Sequence, residues 1–143
     1  MDIGQLILNR DANSIVTCDA RMTMRDAIAI LADKRIGALP VMEDRRVVGI
    51  FSERDVIYCM AKEGGECLDR PVGEVMTSPA ITVERSEKID EALSLMTRRR
   101  IRHLPVVEEG SLLGFVSIGD LVKSRFEKVQ QEAQEMRSYI QTA

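Results

Sequence analysis

Two short stretches of the chain carry residues that suit the binding of an anion. Residues 49–55 read GIFSERD and residues 114–120 read GFVSIGD, so each has a serine followed three residues later by an aspartate. This pattern is typical of a helix N-terminus, where the two side chains satisfy free N–H groups. Helix N-termini also bind phosphates, because their N–H groups and the helix dipole favour negative charge. The stretches therefore predict two helix caps, which either serve only the fold or also face an anionic ligand.

The residue types in both stretches fit a ribose phosphate in particular. An aspartate in the first turn of a helix, as Asp55 and Asp120 would be, can accept hydrogen bonds from the two neighbouring hydroxyls of a ribose. The serines, Ser52 and Ser117, can donate to a phosphate oxygen while they cap the helix. Because serine followed by an acid is common at helix starts, the spacing alone favours simple capping.

The two stretches are parts of an internal duplication. When the sequence is shifted by 65 positions, residues 16–57 align with residues 81–122 without a gap, and LPV at 39–41 falls on LPV at 104–106. Upstream, DIGQLI and RPVGEVM align at a shift of 69, so the first copy carries four additional residues. The chain is therefore two copies of one unit.

Each copy has the pattern of a small α/β unit in which the motif serine begins the last helix. A short β-rich piece (15–17 and 80–83) precedes a helix whose apolar residues recur at i, i+3, i+4 and i+7, starting from Met24 and from Ile89. Two strands follow as a hairpin, ALPVM and VVGIF in the first copy and HLPVV and LLGFV in the second. One such unit is too small to bury both faces, so we expect two units packed sheet to sheet around a shared core.

With LPV and G-x-x-S-x-x-D at equivalent places in both copies, the chain resembles a tandem pair of CBS (cystathionine β-synthase) domains, called a Bateman module, over about residues 3–125. The resemblance implies an α/β (α+β) fold of two tandem βαββα repeats with a C-terminal helical extension. The expected division is repeat 1 at 1–62, a connector at 63–71, repeat 2 at 72–126 and the extension at 127–143.

The resemblance also implies a function. Such modules are sensors that bind AMP, ADP, ATP, NAD(H) or S-adenosylmethionine in clefts between the repeats and that commonly dimerise into a flat disc. We therefore expect a homodimer that signals to an unidentified protein partner. The family pattern places Asp55 and Asp120 at the ribose and Ser52 and Ser117 at the phosphate. It places the backbone of three residues at the adenine: Ile15, Ala80 and Ile81.

The two copies differ just before LPV, where the family often has basic residues that contact phosphate. The second copy has Arg102 and His103 there, and the first has Gly37 and Ala38. We therefore expect the cleft that uses Asp120 to be the better phosphate site. The cleft that uses Asp55 is expected to recruit Arg54 or to take a less charged ligand.

The composition and the motifs of the chain argue against several other classes of protein. The net charge of -3 and an aromatic content of 3% argue against a nucleic-acid-binding protein. His103 is the only histidine, and no metal-binding, P-loop or catalytic motif accompanies it, so we predict no enzyme. Three cysteines without C-x-x-C spacing and short apolar runs predict a cytoplasmic protein with no membrane segment. The remaining alternatives are a structural or protein-interaction module without a ligand and a nucleic-acid binder that uses the arginines of 98–102.

The end of the chain, from Leu121, consists mostly of strong helix formers. Apolar residues recur there in alternating steps of four and three, at Val122, Phe126, Val129, Ala133, Met136 and Ile140. This seam predicts either a final helix packed on its own domain or a helix that extends to a second subunit, and the sequence favours the two equally.

Overall fold

The structure, a computed structural model, describes residues 1–142 as two α/β repeats with a long final helix. The first repeat contains α1 (Ile3–Ile7), β1 (Cys18–Asp19), α2 (Met24–Lys34), β2 (Ala38–Glu43), β3 (Arg46–Ser52) and α3 (Glu53–Glu63). The second contains α4 (Val72–Val75), α5 (Ile89–Arg99), β4 (His103–Glu108), β5 (Ser111–Ser117) and α6 (Ile118–Thr142). Two short 3-10 helices complete the chain, Ala12–Ser14 and Gly64–Asp69. The predicted fold class, two α/β repeats with a C-terminal helix, is confirmed.

The helices α2 and α5 form where the apolar periodicity predicted them. Each buries one face, with Met24, Ala27 and Leu31 in the core of the first repeat and Ile89, Ala92 and Met96 in that of the second. Each ends at an arginine in the left-handed conformation, which stops the helix and turns the chain towards the next strand. The two copies thus share local structure as well as sequence.

Each repeat contains the predicted antiparallel hairpin, formed by β2 with β3 and by β4 with β5. The first β-rich piece was placed wrongly. In the first repeat the strand lies at Cys18–Asp19 and pairs in parallel with β2, whereas 15–17 is not a strand. In the second repeat, the predicted strand at 80–83 forms only one isolated β-bridge, between Val83 and Val106. The residues before β1 do not pair because the preceding 3-10 helix turns the chain towards β5 of the other repeat.

The opening helices of the two repeats are exchanged. The N–H groups of Ile3 and Gly4 in α1 donate to carbonyl groups before α5, both at 2.9 Å, and Ile3 is buried in the second core. The N–H groups of Val72 and Gly73 in α4 donate to carbonyl groups before α2, at 2.7 and 2.8 Å, and Val72 is buried in the first core. The sheets meet through β3 and β5. The buried residues therefore form two cores rather than the single shared core that we expected, and each core needs a helix from the other repeat.

The exchange explains the glycine of the repeated motif. A Cβ atom on Gly49 would lie 2.7 Å from the carbonyl oxygen of Thr77, which belongs to the opening segment of the second repeat. A Cβ atom on Gly114 would lie 3.0 Å from the side chain of Ile7 in α1. Both glycines leave room for the opening segment of the opposite repeat.

The segment between the repeats is packed rather than extended. The helix α3 runs to Glu63, and the 3-10 helix that follows it buries Cys67 in the first core. The division of the chain at 63–71 stays a prediction.

The last helix, α6, leaves the body of the molecule. Its first turns pack on α5, where Leu121 and Ser124 are buried and Arg125 forms an ion pair with Asp90 at 3.4 Å. Every residue from 125 to 142 is exposed. Among residues 1–142, no helix has both the length and the apolar character needed to cross a membrane.

Candidate ligand-binding clefts

Two clefts lie between the repeats, one at each motif serine. The Ser52 cleft, at the start of α3, has a volume of about 510 Å³. Of the predicted ligand-binding residues, it is lined by Ser52, Arg54, Ala80, Ile81, Arg102 and His103. The Ser117 cleft, at the start of α6, has a volume of about 560 Å³. Of the predicted residues, it is lined by Ile15, His103, Ser117 and Asp120.

Each cleft is built across the repeats. In the Ser52 cleft, the helix start of the first repeat faces the entrance of β4 in the second, and Arg54 Nη1 donates to the carbonyl oxygen of Arg100 at 3.2 Å. In the Ser117 cleft, the helix start of the second repeat faces Ile36 and Ala38 of the first. A ligand in either cleft would therefore contact both repeats.

Because each cleft is formed by both repeats, our expectation for Arg102 was wrong. From the sequence we expected Arg102 to serve the cleft that uses Asp120, because both belong to the second copy. The structure places Arg102 in the Ser52 cleft instead. His103 lines both clefts and is their common wall.

Asp55 lies behind the Ser52 cleft rather than on its surface. The residue is only 8% exposed. Its Oδ2 accepts hydrogen bonds from the Ser52 N–H at 2.8 Å and from the Ser52 hydroxyl at 3.1 Å. Its Oδ1 accepts a hydrogen bond from the Thr77 hydroxyl at 2.8 Å, and Thr77 lines the cleft. Asp55 thus orients two hydroxyl groups of the cleft, of which Thr77 was missed from the sequence.

Asp120 is more accessible and has a cationic partner. It forms the reciprocal capping box, in which Oδ2 accepts from the Ser117 N–H at 2.9 Å and the Asp120 N–H donates to Ser117 Oγ at 3.1 Å. Arg10 reaches it from the first repeat, with Nη2 3.3 Å from Oδ1. Partial burial would raise the pKa of Asp120, but the hydrogen bonds from Ser117 and the Arg10 guanidinium outweigh it, so the pKa is below its ordinary value.

Arg10 and Thr77 have equivalent roles in the two clefts. Each belongs to the opening segment of its own repeat and donates to the motif aspartate of the opposite repeat. One is a cation and the other a neutral hydroxyl, so the two aspartates differ in their local charge. Arg10 was also missed, although a signal existed: it lies in the region where the first copy carries four additional residues.

The charges of the two clefts differ in sign. Arg54, Arg100 and Arg102 line the Ser52 cleft with a single acidic residue, Glu53. In the Ser117 cleft, Arg10 stands against two acidic residues, Asp11 and Asp120. The Ser52 cleft therefore has the excess of basic side chains, whereas from the sequence we expected it at the cleft that uses Asp120.

The ring of His103 contributes a flat, uncharged surface to both clefts. Burial lowers its pKa, and nearby Arg102 lowers it further, while Asp120 and Glu53 oppose the shift. The ring stacks on Phe115 with 5.3 Å between the ring centres. Across residues 1–142, no group of three His, Cys, Asp or Glu side chains comes together as a metal site would require.

Comparison with known proteins agrees with this architecture. The family model of the CBS domain matches the chain twice, over residues 7–62 and 72–127. The mitochondrial CBS domain-containing protein CBSX3 of Arabidopsis thaliana is 35% identical over 129 residues, which cover 87% of this chain and 63% of that relative. A second relative, the CBS domain-containing protein YhcV of Bacillus subtilis, is 29% identical over 75% of this chain and 76% of its own length.

Solved structures show the same fold. The CBS-domain containing protein of Agrobacterium tumefaciens superposes with a TM-score of 0.80 at 33% identity, over 87% of this chain and 92% of that one. The crystal structure of CBSX2 in complex with AMP superposes with a TM-score of 0.76 at 25% identity, over 88% and 96%. The chain therefore belongs to the CBS-domain family and carries two copies of the domain.

Proposed function

We propose that this chain is a regulatory module, not an enzyme, that binds an adenine nucleotide in the Ser52 cleft and signals its occupancy to a partner protein. The observation that carries the proposal is the group of three arginines around Ser52, with Arg54 beside it on α3 and Arg100 and Arg102 facing it from the second repeat. The solved complex of the related CBSX2 with AMP supports the ligand class. Within that class, AMP, ADP, ATP and NAD(H) all carry the phosphate that these arginines would contact.

The Ser52 cleft offers a partner for each part of a nucleotide. The phosphate would lie at the start of α3, between Arg54 and Arg102, and the Ser52 hydroxyl would turn from Asp55 Oδ2 to donate to it. A ribose hydroxyl would donate to the Thr77 hydroxyl oxygen, which Asp55 orients from behind the cleft. The adenine would meet the backbone of Ala80 and Ile81, which form an apolar wall of the cleft.

Binding there would tie the repeats together. Ser52 and Arg54 belong to the first repeat and Arg102 to the second, so separating the repeats would break contacts with the ligand. A ligand at a hundred times its dissociation constant stabilises the folded protein by about 2.7 kcal/mol. In a homodimer, this added rigidity is the signal that a partner protein would read. Because Cys18, Cys59 and Cys67 are free thiols, we propose the cytoplasm as its compartment.

The Ser117 cleft suits a ligand with less negative charge. Its aspartate is already paired with Arg10, and its lining has more acidic than basic side chains. An adenosyl ligand without a phosphate, such as S-adenosylmethionine with its sulfonium cation, would not be repelled by the acidic side chains there. The two clefts would then respond to different molecules.

The arginines of 98–102 favour this proposal over nucleic-acid binding. Arg98 and Arg99 are exposed at the end of α5, while Arg100 and Arg102 line the Ser52 cleft. Two of the four arginines would therefore bind the nucleotide, which leaves only Arg98 and Arg99 for contacts with a phosphate backbone.

Calorimetric titration with AMP, ADP, ATP, NAD+, NADH and S-adenosylmethionine tests the proposal, on protein whose ultraviolet spectrum shows no bound nucleotide. We expect Arg102→Ala to weaken nucleotide binding about tenfold, since a hydrogen bond to a charged group contributes about 1.5 kcal/mol. Arg99→Ala is the matched control, an exposed arginine outside both clefts, and should bind as the wild type does.

Two results would contradict the proposal. If no nucleotide binds the wild type, the motifs are helix caps and the chain is a structural or protein-interaction module. If Arg102→Ala and Arg99→Ala bind equally well, the nucleotide does not occupy the Ser52 cleft.

A further inference from the structure

The outer part of α6 is a long helix with no surface of its own chain to pack on. All residues from 125 to 142 are exposed, including Phe126 at 61%, Met136 at 61% and Ile140 at 66%. Helices of this length in proteins depend mainly on the packing of an apolar face, because isolated helices of about 12–15 residues are marginal in water. An apolar face left open on such a helix indicates an interaction surface.

The spacing of the exposed residues indicates what kind of surface covers them. We define the α6 seam as the residues that recur in steps of four and three, namely Val122, Phe126, Val129, Ala133, Met136 and Ile140. This repeat averages 3.5 residues and gives a narrow stripe, as in two-stranded coiled coils. A helix that packs on a globular surface has a wider apolar face. The seam therefore fits a second helix.

Charges beside the seam favour a second copy of the same helix in parallel orientation. With Phe126, Ala133 and Ile140 at the heptad a positions, Glu132 falls at g and Arg137 at e. In a parallel, in-register pair, a g residue faces the e residue five positions later in the partner helix. Glu132 of each copy then faces Arg137 of the other, which gives two symmetric pairs of opposite charge.

The antiparallel arrangement places like charges together. If all six seam layers overlap in that orientation, Glu132 faces Glu132 of the second copy and Lys123 faces Arg137, because g then faces g and e faces e. The same side chains that attract in the parallel pair therefore repel in the antiparallel one.

We propose that two copies of this chain pair through the α6 seam as a parallel, in-register, two-stranded coiled coil. The pairing rests on the homodimer of the proposed function but not on any ligand. It places both modules at the same end of the paired helices. It also joins the dimer contact to the Ser117 cleft, because Asp120 lies in the first turn of the same helix.

Sedimentation analysis of the full chain tests the contact. The wild type should be a dimer at micromolar concentration, and the double variant V129E/M136E should dissociate at least a hundredfold more readily. The control Q131E/S138E adds the same charges on the opposite face of α6 and should remain a dimer. A V129E/M136E protein that stays dimeric overturns the inference but leaves a homodimer through another surface intact. A monomeric wild type overturns both the seam and the homodimer, while nucleotide binding is judged separately by calorimetry.

Disulfide trapping tests the orientation. Ala133→Cys places a thiol at the seam, where two parallel helices bring equivalent residues within disulfide distance. It should form an intermolecular disulfide under mild oxidation, whereas Gln131→Cys on the outer face should not. The wild type controls for the native cysteines, of which Cys18 and Cys67 are buried. A dimer that V129E/M136E dissociates but that Ala133→Cys does not cross-link would refute the parallel register.

Discussion

The hydrogen bond from Thr77 to Asp55 joins the two repeats, and its removal should measurably weaken the fold. Thr77→Val keeps the shape of the side chain but removes the hydroxyl that donates to Asp55 Oδ1 at 2.8 Å. Asp55 is 8% exposed, so water cannot easily replace the lost donor. Because the carboxylate keeps its bonds from Ser52, we take the lower end of the range for charged hydrogen bonds, about 1.5 kcal/mol. In a domain of this size, that loss lowers the melting temperature by roughly 5 °C.

Urea denaturation measures this loss directly, since the midpoint should fall while the slope stays constant. Thr77→Ser retains the hydroxyl and should keep most of the stability. Thr82→Val makes the same change at an exposed threonine five residues later and should cost less than about 0.5 kcal/mol. If Thr77→Val is no less stable than Thr82→Val, the bond does not hold the repeats together. The variant should also bind nucleotide less tightly, because Thr77 lines the Ser52 cleft.

Three further predictions follow from the packing and the charges. Gly49→Ala should lower the free energy of unfolding, by about 1–3 kcal/mol, and more than Gly114→Ala does, because its Cβ would meet the main-chain carbonyl of Thr77 as well as a side chain. Equal urea midpoints of the two variants would contradict the packing of the opening segments. Because the pKa of Asp120 in the folded protein is below its ordinary value of 3.8, the ionised carboxylate stabilises the fold above pH 3.8. This stabilisation is lost as the pH falls through the pKa of the folded state. Asp120→Asn should therefore lose less stability than the wild type between neutral and acid pH, as measured by urea denaturation across that range. Burial raises the pKa of Cys18 to about 11, so iodoacetamide at mildly alkaline pH should label it slowly in the native protein and rapidly in urea; rapid native labelling would show that this core opens.

Local structure was predictable where a short pattern determines it. The apolar periodicity located α2 and α5, and the LPV and glycine-containing runs located both hairpins. The β-rich piece at 15–17 was misplaced because Ile15 and Val16 line the Ser117 cleft and do not pair with a neighbouring strand. Apolar residues in a short run carry no information about which neighbour they meet.

The assembly of the clefts was not predictable from one copy at a time. Arg102 was assigned to Asp120 because both lie in the second copy, but the repeats cross so that the strand entrance of one meets the helix start of the other. Thr77 and Arg10 were missed for the same reason, since each acts on the opposite repeat. Contacts of this kind depend on how two units pack, which local spacing does not encode.

The exchanged opening helices also determine how the molecule responds to dilution. If the two repeats were separate chains, the same exchange would be domain swapping, and each core would be complete only above a threshold concentration. Fusion of the repeats keeps the exchanged helices at a high effective concentration, so core completion no longer depends on how much protein a cell makes. A chain cut between the repeats would again need both fragments together, and only the mixture would restore either core.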